Sequence, residues 1–306
     1  MTITKETKIG WVGTGIMGQS MAMKIREAGY PLTVYNRTKS KAENLLKNGA
    51  VWADSPQEVA QRAEIVFLMV GYPSDVRETV SGTNGIFSAS PSSCRIIADM
   101  TTSSPSLSLE IEKEGKQRNI ISLDAPVSGG DIGARNGTLS IMAGGDKTAF
   151  DELLPLWNLM GKTLVYHGKA GSGQHAKMVN QTLIAGTMLG LCEALVYAAE
   201  SGLDLEKVLL SVSTGAAGSW SLSNLAPRVL KNDFAPGFII EHFIKDLGIV
   251  LEESSRMGLK LPAAELAEKL YRFASEKGFT RNGTQALYLV LRDWAKTSKT
   301  ETLKTE

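Results

Sequence analysis

Cysteine is nearly absent: only Cys94 and Cys192 occur in 306 residues, neither in a CxxC pair nor beside a histidine cluster. That excludes a disulfide-stapled scaffold and a thiolate zinc site, and it fits a reducing compartment with two buried free thiols. Histidine is scarce too. His167, His175 and His242 share no metal-ligand spacing of the HExxH kind, so no metal is expected. Neither charge sign dominates: 33 basic residues face 32 acidic ones, a net +1, which argues against a nucleic-acid or anionic-membrane surface and favours small-molecule chemistry. The opening MTITKETK lacks the apolar core of a secretory signal and the arginine-rich character of a transit peptide, so the cytoplasm is the expected location. No fixed-period repeat or long heptad seam is present. The longest apolar tract, Met178 to Ala199, is broken by Asn180, Gln181 and Glu193, which favours a buried helix over a membrane span. The polar tail AKTSKTETLKTE reads as a frayed end.

What is present is an ordinary globular composition, 43% hydrophobic and 21% charged, at a length that supports about two domains. From Lys8 onward, short β-branched or aromatic runs alternate with helical stretches: KIGWVG, PLTVYN and EIVFLMV, then RIIADM, NIISLDAPV, GTLSIMAGG and TLVYHG. This βαβ order predicts an α/β fold, a mostly parallel sheet over residues 1–168. Beyond Gly168 the pattern turns helical, with segments at Gly173–Glu200, Leu205–Ser213, Leu222–Leu230 and Lys245–Met257. Residues 169–306 are therefore expected to form an all-helical second domain.

Gly13-Thr14-Gly15-Ile16-Met17-Gly18 matches GxGxxG, directly after a strand and at the start of a helix, which is the context of a Rossmann-type dinucleotide site. A tight turn, a close approach to pyrophosphate and close helix–strand packing each need one of the glycines. The residue ending the second strand usually selects the cofactor, since a carboxylate there binds the ribose of NAD and repels a 2′-phosphate. Here it is Asn36, followed by Arg37, Thr38 and Lys41, and this set points to NADP, with NAD still possible. The alternative is that Arg37 and Lys41 are solvated charges at a helix start.

Ser128-Gly129-Gly130 follows a strand, and its amides and hydroxyl can form a carboxylate-binding nest. Thr101 and Thr102 stand at the carboxyl end of the sheet, where open α/β sheets hold ligands, though such a pair also caps helices. In GSGQHAKMVNQ, helical spacing puts Gly173, Lys177 and Asn180 on one face. A lysine among apolar neighbours loses hydration and becomes a proton donor for a developing alkoxide, so Lys177 is the candidate catalytic residue. Lys245 and Asp246 in HFIKDLGI read equally as a substrate or cofactor contact and as an internal ion pair. Trp220 and Phe243 are either pocket walls or core aromatics.

GTGIMG, DAPVSGG, GSGQHAKMVNQ and KDLG, in this order over nearly the whole chain, resemble the β-hydroxyacid dehydrogenase family, on the branch of 3-hydroxyisobutyrate dehydrogenase, tartronate semialdehyde reductase and the glyoxylate/succinic semialdehyde reductases. The resemblance implies that Lys177 transfers the proton and Asn180 orients the substrate, while Ser128, Gly129 and Gly130 bind its carboxylate. It also implies that Thr102 and Lys245 contact cofactor or substrate, with Asp246 beside them; Val70, ending EIVFLMV, joins the cofactor set. Asn36-Arg37-Thr38 is similar to the NADP-preferring members. Relatives that complete their clefts by exchanging helices between subunits imply a homodimer or homotetramer. An imine reductase-like activity and a non-catalytic assembly role are the alternatives; Lys177 argues against both, because the first class usually carries aspartate or tyrosine there and the second has lost the lysine.

Overall fold

The computed structural model describes residues 2–302. The apolar runs become strands β1 (Ile9–Val12), β2 (Leu32–Tyr35), β3 (Val51–Trp52), β4 (Ile65–Leu68), β5 (Ile96–Asp99), β6 (Ile121–Asp124), β7 (Val127–Ser128), β8 (Leu139–Gly145) and β9 (Gly161–Gly168). All residues of β1, β4 and β5 are buried, as expected of a parallel sheet covered on both faces. Their order is β3-β2-β1-β4-β5-β6-β8-β7, with β9 paired to β8. Pairing is parallel from β3 to β6, β8 runs antiparallel to β6 and β7, and β9 is parallel to β8. The chain is thus α/β with a mostly parallel sheet and later additions.

The intervening helices are α1 (Ile16–Glu27), α2 (Glu43–Lys47), α3 (Pro56–Arg62), α4 (Pro73–Ser81), α5 (Pro105–Lys116), α6 (Gly130–Asn136), α7 (Lys147–Glu152) and α8 (Leu154–Met160). Their starts follow local chemistry: Ser55 and Ser104 accept from backbone amides three residues on, each with proline at the first helical position. Trp11 stacks on Phe67 with ring centroids 5.5 Å apart, and Phe67 meets Trp157 edge-on at 5.5 Å, so a single aromatic column braces the sheet centre. Trp11 Nε1 also donates to Gly13 O at 2.9 Å, fixing the exit of β1.

The chain divides into two compact units, Met1–Lys177 and Met178–Glu306, and the division falls within α9 (Ser172–Glu200). The second unit continues with α10 (Leu205–Val212), α11 (Trp220–Leu230), α12 (Ile240–Arg256), α13 (Pro262–Ala274) and α14 (Leu287–Thr302). One face of α9, with Ala185, Met188, Cys192 and Leu195, packs with Phe243, Leu247 and Tyr271 into a separate core. Phe243 is a core aromatic, edge-on to Tyr271 at 4.9 Å, whereas Trp220 is exposed at the start of α11. Helix α14 extends into the tail expected to fray; residues 303–306 lie outside the described ones. Cys94 and Cys192 are both free and buried, and burial pushes each thiol up to about 12.

Candidate active site

The loop after β1 has the geometry a dinucleotide needs. Gly13 adopts φ +94°, and a Cβ there would run into the carbonyl of Met69; a Cβ on Gly18 would run into the carbonyl of Gly13. Both glycines are therefore demanded by the fold. Gly15 differs: nothing lies within 4 Å of where its Cβ would be, and it caps α1 without any side-chain hydrogen bond. The first turn of α1 carries no acidic residue and no side-chain cap, so neither offsets the positive end of its dipole. Beside it Ile16 is 77% exposed, Met17 is half-buried, and the buried Thr14 hydroxyl has no hydrogen-bond partner among the described residues. An uncapped helix start, an open glycine and an orphaned hydroxyl fit the pyrophosphate of a nicotinamide dinucleotide.

Asn36 turns out to be occupied within the fold. Its Oδ1 accepts from Thr14 N at 3.0 Å and its Nδ2 donates to Thr38 O at 2.9 Å, which ties the end of β2 to the glycine loop. The side chain thus shapes the site while contributing no negative charge. Arg37 is 80% exposed and pairs with Asp75 Oδ1 at 3.0 Å; an exposed pair of this kind is a weak tether that leaves the guanidinium available. Thr38 and the Lys41 side chain are exposed beside it.

The reacting end gathers at the carboxyl ends of β4, β5 and β6. Val70 N donates to Thr101 Oγ1 at 3.0 Å, so that hydroxyl serves the fold, while Thr102 is half-buried next to it. Ser128 is half-buried, and Gly129 and Gly130 are exposed with φ of +130° and +62°, values that favour glycine. Apart from its chain neighbours and its own helix backbone, no atom of the described residues lies within 4 Å of a Cβ placed on Gly130. Lys177 is only 7% exposed, and its Nζ donates to Val127 O at 2.9 Å, one residue before that open turn. Lys177 and Ser128–Gly130 are thus brought together by the structure, although they are far apart in sequence.

Gly173 shares a face of α9 with Lys177 and Asn180, as helical spacing requires, but it serves packing. A Cβ there would meet the carbonyls of Met142 and Asp124, so this glycine exists to seat α9 directly on the strands. In the second unit, Asn180 Nδ2 donates to Gln181 Oε1 at 2.7 Å, and Gln181 Nε2 donates to Asp246 Oδ2 at 2.6 Å. Asp246 Oδ1 is 2.9 Å from Lys245 Nζ, so the internal ion pair is realised, with Lys245 and Asp246 largely buried. Asn180, Asp246 and Lys245 form one polar chain, joined by a residue that sequence reasoning passed over, Gln181. Beside it, burial first and the Lys245 charge second hold His242 below its ordinary value.

Two more residues escaped the sequence reading, Asp124 and Gln174. Burial pushes the Asp124 carboxyl up to about 6, opposed by the backbone amides of Gln174 and Gly171, each 2.8 Å from one of its oxygens. The only hint in the sequence is a carboxylate that ends the apolar strand and a glutamine just before the candidate lysine.

Comparison with known proteins identifies the family. Residues 8–168 match the model described as the NAD binding domain of 6-phosphogluconate dehydrogenase, and residues 171–291 the model described as NAD-binding of NADP-dependent 3-hydroxyisobutyrate dehydrogenase. A probable 3-hydroxyisobutyrate dehydrogenase-like protein of Arabidopsis thaliana is 52% identical, covering 93% of this chain and 85% of its own. The 2-hydroxy-3-oxopropionate reductase of Escherichia coli is 36% identical, covering 93% and 97%. The structure of Mycobacterium tuberculosis 3-hydroxyisobutyrate dehydrogenase with L-serine superimposes with a TM-score of 0.85 at 26% identity, covering 94% and 99%. With dinucleotide-binding geometry on β1–α1 and matching relatives along almost its full length, the chain belongs to the β-hydroxyacid dehydrogenase family, as an NAD(P)-dependent oxidoreductase of the 3-hydroxyisobutyrate dehydrogenase type.

Proposed function

We propose that the protein is an NADP(H)-dependent enzyme that interconverts a small hydroxy acid and its semialdehyde or keto acid, with Lys177 as the general acid and base. The observation that carries this reading is the buried Lys177 ammonium, held on Val127 O beside the open Ser128–Gly130 turn. The amides of Gly129 and Gly130 and the Ser128 hydroxyl hold the substrate carboxylate. Lys177 gives its proton to the carbonyl oxygen as that oxygen becomes an alkoxide, then recovers a proton from solvent. When bound, the reduced nicotinamide supplies the hydride. Asn180 orients the substrate, Asp246 adds a polar contact, and Lys245, Thr102 and Val70 serve the cofactor end. The uncapped start of α1 and the Thr14 hydroxyl receive the pyrophosphate, while Arg37, Thr38 and Lys41 receive the 2′-phosphate. Initial rates of NADPH oxidation against glyoxylate and the succinic, tartronate and methylmalonate semialdehydes test the substrate class. Turnover with one of them supports it, and none with any of the four, despite tight NADPH binding, sinks it.

The NADP preference has its own test. Arg37→Ala removes a charge-assisted contact with the 2′-phosphate and is expected to weaken NADPH binding by roughly 10- to 100-fold. NADH affinity should stay within about threefold, since that ligand has no phosphate for Arg37 to hold. Fluorescence titration of both cofactors reads the difference; equal losses would remove Arg37 from the 2′-phosphate site.

A homo-oligomer completes the reading. Helix α9 is long and apolar enough to cross a membrane, with mean hydropathy 1.6, yet only 39% of that stretch is buried. Val179, Leu183 and Tyr197 are 62%, 67% and 76% exposed, and Gly186 and Gly190 lie exposed between them at helical spacing. We assign this stripe to a second copy of the chain, because its small residues permit close approach of helices and its other face already belongs to a core. Leu183→Glu is expected to convert the oligomer to monomer in light scattering. An unchanged mass would place the interface elsewhere. A cytoplasmic enzyme without nucleic-acid or membrane partners is part of the same proposal.

A further inference from the structure

Gln174 is wholly buried one helical turn before Lys177, and its hydrogen bonds go to three residues on two chain segments, the loop after β5 and the end of β6. Its Nε2 donates to Thr101 O at 2.7 Å, its Oε1 accepts from Ser103 N at 3.0 Å, and its backbone N–H donates to Asp124 Oδ2 at 2.8 Å. The other Asp124 oxygen accepts from Gly171 N at 2.8 Å. The run continues outward, since Thr101 Oγ1 accepts from Val70 N and Thr101 N donates to Asp99 Oδ1, each at 3.0 Å. Direct hydrogen bonds therefore connect the ends of β4, β5 and β6 to the first turn of α9. The seat is close: a Cβ on Gly173 would come within 2.6 Å of Asp124 O, and one on Gly144 within 2.7 Å of Gly173 N.

We propose that Gln174, seated by Asp124, is a positioning residue that fixes the rotation and height of α9 so that the Lys177 ammonium reaches the Val127–Gly130 turn. The proposal rests on the reading of Lys177 as proton donor. An α-helix turns by about 100° and rises about 1.5 Å per residue, so a slip of one residue at Gln174 would swing Lys177 away from its partner. Glutamine suits the place because one carboxamide supplies a donor for Thr101 O and an acceptor for Ser103 N. Methionine matches its length and offers neither. Glutamate supplies the acceptor always and the donor only when protonated. Asp99 and Asp124 stand at the strand ends, with the exposed His175 next along α9 and Lys177 one turn on; the two carboxylates favour the protonated form of a glutamate placed there, and the Lys177 ammonium opposes it.

The test compares Gln174→Met and Gln174→Glu in the full-length enzyme, with Lys177→Ala alongside. Gln174→Met is expected to lower kcat by about 10- to 100-fold with little change in KM, as a misplacement of the order of 1 Å does. NADPH affinity should stay within about twofold, because the pyrophosphate loop is untouched. Hydrogen exchange of residues 171–177 should quicken. Gln174→Glu should be as impaired as the methionine variant at about pH 8 and recover most of its kcat toward pH 5.5, as its carboxyl regains a proton. A general loss of stability would not produce that pH-dependent rescue. Both variants within about threefold of the parent kcat at every pH would overturn the proposal. So would a Gln174→Glu enzyme that stays impaired at low pH while folded, and should the methionine variant fail to fold, the glutamate pH profile decides alone. If Lys177→Ala keeps its turnover, it is the acid–base reading that fails; if Lys177→Ala is inactive and the Gln174 variants are normal, only the positioning role does.

Discussion

Lys177→Ala is expected to lower kcat for carbonyl reduction by about three orders of magnitude, within the range that general acid catalysis supplies. The lysine is buried on the second turn of a helix whose first turn is pinned to β5 and β6, so its ammonium has one defined station, at Val127 O. Alanine removes the proton donor and leaves that carbonyl without the lysine, at a cost to stability of about 1–3 kcal/mol, small enough for the enzyme to remain folded. NADPH affinity should be nearly unchanged, because the proposed site assigns the dinucleotide's phosphates to Gly15, Thr14 and Arg37, away from Lys177. Lys177→Arg sharpens the case. A guanidinium keeps the positive charge and the length but holds its proton far above neutral pH, so it should be about as inactive as alanine if proton transfer is the role. Activity restored by arginine would mean that Lys177 acts as a fixed charge.

Gly15→Val is expected to weaken NADPH binding by at least about 100-fold, roughly 2.7 kcal/mol, without measurable loss of thermal stability. Gly15 has extended backbone with φ −68° and ψ −172°, which valine adopts freely, and beyond its chain neighbours no atom of the described residues lies within 4 Å of the added carbon. What the side chain would occupy is the space through which a pyrophosphate must reach the α1 amides. Gly13→Ala provides the contrast. At φ +94° and facing the Met69 carbonyl, it should destabilise the fold by more than about 2 kcal/mol and lose the cofactor only as a consequence. Calorimetry paired with cofactor titration separates the two outcomes. An unfolded Gly15→Val, or one that binds NADPH normally, would remove this loop from the site.

The sequence announced features whose partners are close by or whose spacing is fixed. GTGIMG after an apolar run needs no distant contact to be interpreted, and Asn36 is visibly not an acid. That Asn36 spends its amide on Thr14 and Thr38 was invisible, since a side-chain bond across 22 residues leaves no periodic trace. The same holds more strongly for Asp124 and Gln174, whose partners lie 47 to 73 residues away. Gly173 was placed on the lysine face by helical spacing; the spacing was sound, but packing against Met142 and Asp124 decides why that position is glycine. Strands β3 and β7 have two residues each, too few to show alternation. In the second unit the amphipathic α12 was legible from KDLG onward, whereas its true start at Ile240 follows from burial of Ile240 and Phe243.

The most direct test of hydride reduction assisted by Lys177 is the fate of deuterium. Each of the four carboxylate aldehydes is incubated with NADPH deuterated at C4 on either face, and the hydroxy acid is examined by mass spectrometry. The account predicts a product with one deuterium on the carbon that bears the new hydroxyl, from one labelled face only, formed about a thousandfold more slowly by Lys177→Ala. Product lacking deuterium from both labelled cofactors, or labelled product formed equally well by Lys177→Ala, would contradict it.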